Sequence, residues 1–179
     1  MESQNDANRK EPVPRLSIVL PAYNEEGNIE RAVREALAGA AKAEATCEVV
    51  VVNDGSRDGT ARILQKLEAE LGSSLRVVDH PANLGYGAAL RDGFRATRGE
   101  LVFYTDSDNQ FDLGELGDFM PLMKDNDVVL GYRVDRQDPL ARRITARVYN
   151  LLAWPKLIKG YRQAFWRKGY LRRLWPDCW

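Results

Sequence analysis

One histidine, His80, and two cysteines, Cys47 and Cys178, are all that 179 residues offer of the side chains that most often serve as base, thiol nucleophile or soft-metal ligand. The cysteines have neither metal-ligand spacing nor the density of a disulfide framework, so two reduced thiols are expected, Cys47 within a buried strand. His80 stands at a strand end with no Ser or Cys partner motif, which reads as a surface or packing residue rather than a catalytic base. The glycine fingerprint G-x-G-x-x-G is missing after the first strand, and this disfavours hydride transfer on a bound dinucleotide. G-x-x-x-x-G-K-[ST] is missing throughout, which counts against a P-loop nucleotidase. No apolar run reaches the roughly 20 residues of a spanning helix and the N-terminus is polar, so neither a transmembrane segment nor a signal peptide is expected, and the chain is assigned to the cytosol.

Net charge is missing too: 26 Lys and Arg balance 26 Asp and Glu, and nothing in the bulk points to nucleic acid. The balance hides a split. Residues 1–153 carry 19 basic against 25 acidic side chains, whereas residues 154–179 carry 7 against 1. All four tryptophans, Trp154, Trp166, Trp175 and Trp179, fall in that second stretch. A basic segment bearing tryptophan suits a membrane surface, with aromatics at headgroup level and Lys/Arg against anionic lipid. Its weak helical periodicity and its ending at Cys178-Trp179 suit a truncated or frame-shifted ending equally. The expected organisation is a disordered polar leader over 1–14, one domain over 15–153, and a basic tail over 154–179 to which the pattern assigns no fold.

Within the domain, short apolar runs alternate with helical periodicity. LSIVLP (16–21), CEVVVV (47–52), LRVVD (75–79), ELVFYT (100–105) and DVVLG (127–131) read as strands. Ile29, Ala32, Val33, Ala36, Leu37 and Ala40 mark one helix face, and Ala61, Leu64, Leu67 and Leu71 mark the next. Further helices are expected over 87–97, from an Asp112/Glu115 capping box to about residue 124, and over 140–152. The alternation predicts a mainly parallel sheet with helices on both faces, a three-layer α/β/α fold whose ligands sit beyond the carboxyl ends of the strands. The polar clusters AYNEEGN, NDGSRDG, DSDNQFD and YRVDR follow strands one, two, four and five, so four loops are expected to converge on one edge.

Asp106-Ser107-Asp108 puts two carboxylates one residue apart at a strand end, where their oxygens suit a hard cation such as Mg2+ or Mn2+, though isolated Asp-x-Asp triplets also occur in ordinary acidic turns. Such an ion clamps a diphosphate and offsets the charge of its departure. Asp54, in Asn53-Asp54-Gly55-Ser56, is either a turn residue or a carboxylate that accepts an N–H from a nucleobase. Tyr23 suits packing along a base or ribose and Glu25 suits a ribose hydroxyl; both also fit a loop that starts a helix. Asn83-Leu84-Gly85-Tyr86-Gly87 opens a helix with backbone that either approaches a phosphate or turns the chain. Arg133, Arg136, Arg142 and Arg143 offer guanidinium forks to phosphate, or form a solvated basic helix face.

SIVLPAYNEEGNI, EVVVVNDGSRDGTA, NLGYGAALRDGF and ELVFYTDSDNQFD, in this order and spacing, resemble glycosyltransferase family 2 with the GT-A (Rossmann-like) fold, nearest to its polyprenyl- and dolichyl-phosphate sugar synthases, over about residues 16–152. The resemblance implies that Pro21, Tyr23, Glu25, Val52 and Asp54 hold the nucleotide, together with Thr105, Asp106, Ser107 and Asp108. It implies that Asp106, Asp108 and Gln110 hold the metal and that Arg133, with Arg142, holds a phosphate; Asp108 and Arg133 are its catalytic candidates. The implied reaction moves a hexose, with inversion, from a UDP- or GDP-sugar to a polyprenyl or dolichyl phosphate at the cytosolic face of a membrane. An ionised phosphate acceptor needs no general base, which agrees with the scarcity of histidine. The branch also carries an Asp-x-x-Cys-Ala-Phe-like segment that closes its site, which YRQAFWRKGYLRR (161–173) resembles in part. A nucleotide-sugar-binding fragment or partner subunit without the acceptor half is the alternative reading. A metal-dependent nucleotidyltransferase, which would release pyrophosphate, is the third.

Overall fold

The computed structural model describes residues 13–107, 112–131 and 163–167. Residues 1–12 of the expected 1–14 leader, the expected helix over 140–152, Asp108, Gln110, Arg133, Arg136, Arg142, Arg143 and most of the tail lie outside the described residues, while Pro14 is already buried. Within them the strands are β1 (Leu16–Ala22), β2 (Cys47–Asn53), β3 (Leu75–Asp79), β4 (Leu101–Tyr104), β5 (Val128–Gly131) and β6 (Gln163–Arg167). The helices are α1 (Ile29–Lys42), α2 (Thr60–Leu71), α3 (Tyr86–Ala96) and α4 (Leu116–Leu122). The sheet order is β3-β2-β1-β4-β6-β5; β1 pairs in parallel with β2 and β4, and β2 with β3, while β6 runs antiparallel to both β4 and β5.

β1 is buried at every position because it lies between two strands and under helices on both faces. Its alternate side chains divide the core. Leu16, Ile18, Leu20 and Ala22 join Val49, Val51 and Phe103 beneath α1, α2 and α4, while Val19, Val50 and Val102 face Phe94 and Ala96 of α3. The layering is therefore the expected α/β/α, with α3 on the second face among the described residues. α1 buries Ile29, Ala32, Val33, Ala36 and Ala40, a spacing that keeps one stripe on the sheet and leaves Glu30, Arg31, Arg34 and Glu35 outward. α3 packs closest where it has no side chain. A Cβ on Gly93 would stand 2.5 Å from Val19 and 3.1 Å from Val52, so only glycine lets this helix rest on the centre of the sheet.

Two local expectations change. Asp112 caps a 3-10 turn over Leu113–Glu115, accepting from Gly114 N at 2.8 Å, and α4 begins only after that turn. The capping box thus starts a tighter turn than the α-helix expected there. Gln163–Arg167 enters the sheet between β4 and β5, pairing Leu101 with Arg167 and Tyr104 with Ala164. The composition break near residue 152 does not mark the end of the sheet. No described helix is long and apolar enough to cross a membrane.

Candidate functional site

The strand order reverses between β1 and β4: β2 and β3 follow on one side of β1, β6 and β5 on the far side of β4. Loops leaving the carboxyl ends of these two strands diverge to opposite sides and open a crevice. A cleft of about 360 Å³ lies there, lined by Pro21, Ala22, Tyr23, Glu25, Asp54, Asn83, Tyr86, Ala89, Asp106 and Ser107. Eight of these were singled out in the sequence: Pro21, Tyr23, Glu25, Asp54, Asp106 and Ser107 as site residues, and Asn83 and Tyr86 within the helix-opening run.

The first wall is two loops bonded to each other. Asn24, at φ 56, donates its N–H to Ser56 Oγ at 3.0 Å, and Arg57 N–H returns to Asn24 Oδ1 at 2.8 Å. Glu25 N–H donates to Thr60 Oγ1 at 2.9 Å, and Glu26 accepts from Gly59 N–H at 2.6 Å. The polar clusters after β1 and β2 therefore supply each other's partners, which holds exposed Tyr23 and half-buried Glu25 at the cleft. Asn28 Nδ2 donates to Glu25 Oε2 at 2.9 Å and orients that carboxylate.

Asp54 sits deeper, 4% exposed. Its Oδ1 accepts from His80 Nδ1 at 2.7 Å and from Leu84 N–H at 2.8 Å, and its Oδ2 accepts from Gly85 N–H at 2.9 Å. Burial alone would raise this carboxyl, but the His80 bond and the two amides outweigh it and hold Asp54 below the usual carboxylate range. Gly55 makes the approach possible. It has φ 68, and a Cβ there would overlap the backbone of Ala82 and Asn83. Among the described residues, the loop after β3 thus joins those after β1, β2 and β4 as a fourth element of the site. The sequence assigns no site role to His80, and 83–87 reads there as backbone that approaches a phosphate or turns the chain rather than as a partner of Asp54; the one available signal is the polar run directly after a strand.

Asp106 forms the opposite wall, half-buried at the end of β4, with Tyr86 Oη donating to its Oδ1 at 3.0 Å. Ser107 is buried and donates to the carbonyl of Pro21 at 3.0 Å, a tie across the mouth of the crevice between β1 and β4. Thr105 and Val52 are also buried, and neither lines the cleft. Val52 points toward Gly93 of α3. Tyr104, just below, has its phenol raised by burial and by the Asp106 charge. No group of three His, Cys, Asp or Glu forms a metal cage among the described residues. Asp106 is the one member of the expected metal set within them, and its hard oxygen donors fit Mg2+ or Mn2+.

Residues 17–179 match the family model described as glycosyl transferase family 2. The undecaprenyl-phosphate 4-deoxy-4-formamido-L-arabinose transferase of Pseudomonas aeruginosa (strain LESB58) is 36% identical over 141 residues, which cover 78% of this chain and 42% of the relative. The chain spans about two fifths of the length of the curated relatives it matches. Among solved structures, the mannosyltransferase PcManGT from Pyrobaculum calidifontis, in complex with GDP-Man and Mn2+, superposes with a TM-score of 0.67 at 26% identity, covering 90% of this chain and 46% of that one. Glucosyl-3-phosphoglycerate synthase from Mycobacterium tuberculosis, in complex with UDP, does so with a TM-score of 0.60 at 25% identity, covering 88% and 58%. A cleft at the switch point, walled by NDGS on one side and the first aspartate of DSD on the other, is thus found in a chain that belongs to glycosyl transferase family 2.

Proposed function

We propose that the chain carries the donor site of an inverting glycosyltransferase that moves a hexose from a nucleotide-diphosphate sugar to a polyprenyl or dolichyl phosphate. The observation that carries this reading is the cleft itself: Tyr23, Glu25 and Asp54 line one wall, Asp106 the other, in a volume within the range of small-ligand sites. Relatives named as undecaprenyl-phosphate sugar transferases and neighbours bound to GDP-Man with Mn2+ or to UDP support it.

In this reading Tyr23 packs along the base or ribose, Glu25 accepts a ribose hydroxyl and Asp54 accepts a base N–H, with Pro21 and Ser107 lining the cleft beside them and Val52 and Thr105 buried behind it. Asp106, Asp108 and Gln110 would hold a divalent ion, which when bound supplies charge to stabilise the departing diphosphate. Arg133, with Arg142, orients the acceptor phosphate. An acceptor phosphate oxygen attacks the anomeric carbon as the bond to the diphosphate breaks, and the electron pair leaves with the nucleoside diphosphate. The acceptor is already ionised, so no side chain has to remove a proton; the work of the protein is positioning and charge. A lipid phosphate acceptor sets the reaction at a membrane surface, on its cytosolic face in this reading.

The test is transfer to a short polyprenyl phosphate from UDP-glucose or GDP-mannose in the presence of Mn2+, with the anomeric configuration of the product read by NMR. An inverted glycosyl phospholipid supports the reading. Binding of the donor without transfer would reduce it to a nucleotide-sugar-binding part, and release of pyrophosphate from a nucleoside triphosphate would replace it with nucleotidyl transfer.

A further inference from the structure

Tyr86 differs from the other cleft residues in being 52% exposed and yet held at both ends. Its phenol donates to Asp106 Oδ1 at 3.0 Å, on the wall that follows β4. Its backbone starts from the opposite wall. Leu84 N–H donates to Asp54 Oδ1 at 2.8 Å and Gly85 N–H to Asp54 Oδ2 at 2.9 Å, while the Gly85 carbonyl accepts from Ala88 N–H at 3.0 Å and Ala89 N–H at 3.1 Å and so opens α3. Gly85 reaches both sets of partners at φ 91 and ψ 159, a conformation that residues with a side chain rarely adopt. The residue that carries the phenol is thus anchored to Asp54 just before it, and just after it to a helix seated on the sheet through Gly93.

We propose that Tyr86 is a positioning residue for the divalent ion: from a backbone fixed by Asp54, its hydroxyl holds the Asp106 carboxylate in the orientation that the ion requires. The proposal rests on the donor-site reading above and deepens it. A carboxylate ligand gains from a hydrogen-bond partner that does not itself touch the metal, because the partner orients it before the ion arrives. Asp106 is a residue that such a partner serves. It lies two residues past the end of β4 and is half-buried, so its side chain has more freedom to rotate than one in the core, and a donor on a fixed backbone removes that freedom.

Tyr86 also lines the cleft, so a phenol that acts on the nucleotide directly is the competing role. The two roles differ in what they do without metal. A hydroxyl that touches the nucleotide strengthens its binding whether or not Mn2+ is present, whereas one that acts through Asp106 strengthens it only when Mn2+ is there to be held. An incidental surface bond does neither.

The experiment is calorimetric titration of UDP, with and without Mn2+, into the full chain and into Tyr86→Phe, with thermal melting of both proteins. Phenylalanine keeps the ring and removes only the hydroxyl of an exposed residue, so the melting temperature should stay within about 2 °C of the wild type. The gain in UDP affinity brought by Mn2+ should be smaller in the variant by about three- to tenfold, the cost of ordering one side chain on binding, while the metal-free affinity stays within about twofold. A gain that the substitution leaves unchanged overturns the proposal, as does a larger gain, which would mean that the phenol competes with the ion for Asp106. An equal loss with and without Mn2+ overturns it too: at an unchanged melting temperature the phenol acts on the nucleotide, and at a lower one it acts on the fold. If wild-type binding of UDP does not respond to Mn2+ at all, the ion's place in the donor-site reading falls together with the proposal.

Discussion

Replacing Asp54 by asparagine removes one charge and almost no volume, so its effect can be worked from the bonds alone. The carbonyl oxygen of asparagine can accept the two bonds now made to Oδ1, from His80 and Leu84, but the amide nitrogen then faces Gly85 N–H, donor against donor. The opposite rotamer is worse, since it turns the amide toward two donors. One charge-assisted bond of about 1.5–3 kcal/mol is lost, with Gly85 N–H keeping only its second acceptor, Asn83 Oδ1 at 3.0 Å, and the other two weaken, while relief of charge burial offsets part of the loss. The net is about 2–4 kcal/mol, and it falls on residues 80–86 because the main apolar core includes neither this loop nor Asp54. Hydrogen exchange read by NMR at the Leu84 and Gly85 amides is the direct assay: protection should fall by about 30- to 1,000-fold, while amides of β1 and β2 change far less. Protection at both amides within threefold of the wild type would refute the assigned hydrogen bonds.

Other consequences follow from the same coordinates. Glu48 is 1% exposed and accepts from Ser17 Oγ at 2.6 Å and from Arg98 Nε at 2.8 Å; burial raises its carboxyl, but these bonds outweigh it and hold it low. Its contribution is therefore present above the unfolded value of about 4.3 and lost as pH falls through the lower folded value, so Glu48→Gln should cost about 2 kcal/mol at pH 7 in urea unfolding, with the gap to wild type closing below about pH 4. A gap independent of pH contradicts this. Gly55→Ala forces a side chain into φ 68 against Ala82 and Asn83; a loss of at least about 2 kcal/mol, or a melting point lower by roughly 4–8 °C, is expected by calorimetry. A shift under a degree would mean the loop gives way freely. Cys47 is half-buried rather than fully buried as expected, yet its thiol is pushed up to about 12 by burial and the neighbouring Glu48 charge, so in a Cys178→Ser background a disulfide reagent at pH 8 should label it far more slowly before denaturation than after; equal rates would contradict this.

Much of this was legible because burial leaves a periodic trace. β1 and β2 lie under helices on both faces, so their sequences are unbroken apolar runs, and α1 shows its stripe because only one side meets the sheet. Polar clusters directly after such strands placed Pro21, Tyr23, Glu25, Asp54, Asp106 and Ser107 at one cleft. His80 escaped because its burial depends on α3 closing over it from Asp92, a contact between residues that share no periodicity. β6 escaped for a related reason: Gln163–Arg167 is a strand by virtue of its pairing with β4 and β5, and five residues in a basic stretch carry no signal of that register. Val52 and Thr105 are buried beside the cleft without lining it, since a place in a motif does not fix which way a side chain points.

The central claim is that the cleft between Asp54 and Asp106 takes the diphosphate end of a sugar donor on a divalent ion. Calorimetric titration of UDP-glucose into the full chain, with and without Mn2+, and again into Asp106→Ala, tests it most directly. The account predicts binding that strengthens by at least about tenfold with Mn2+ in the wild type and loses that gain in the variant. The same affinity with and without the ion, or an Mn2+-dependent gain that survives the loss of Asp106, would contradict it.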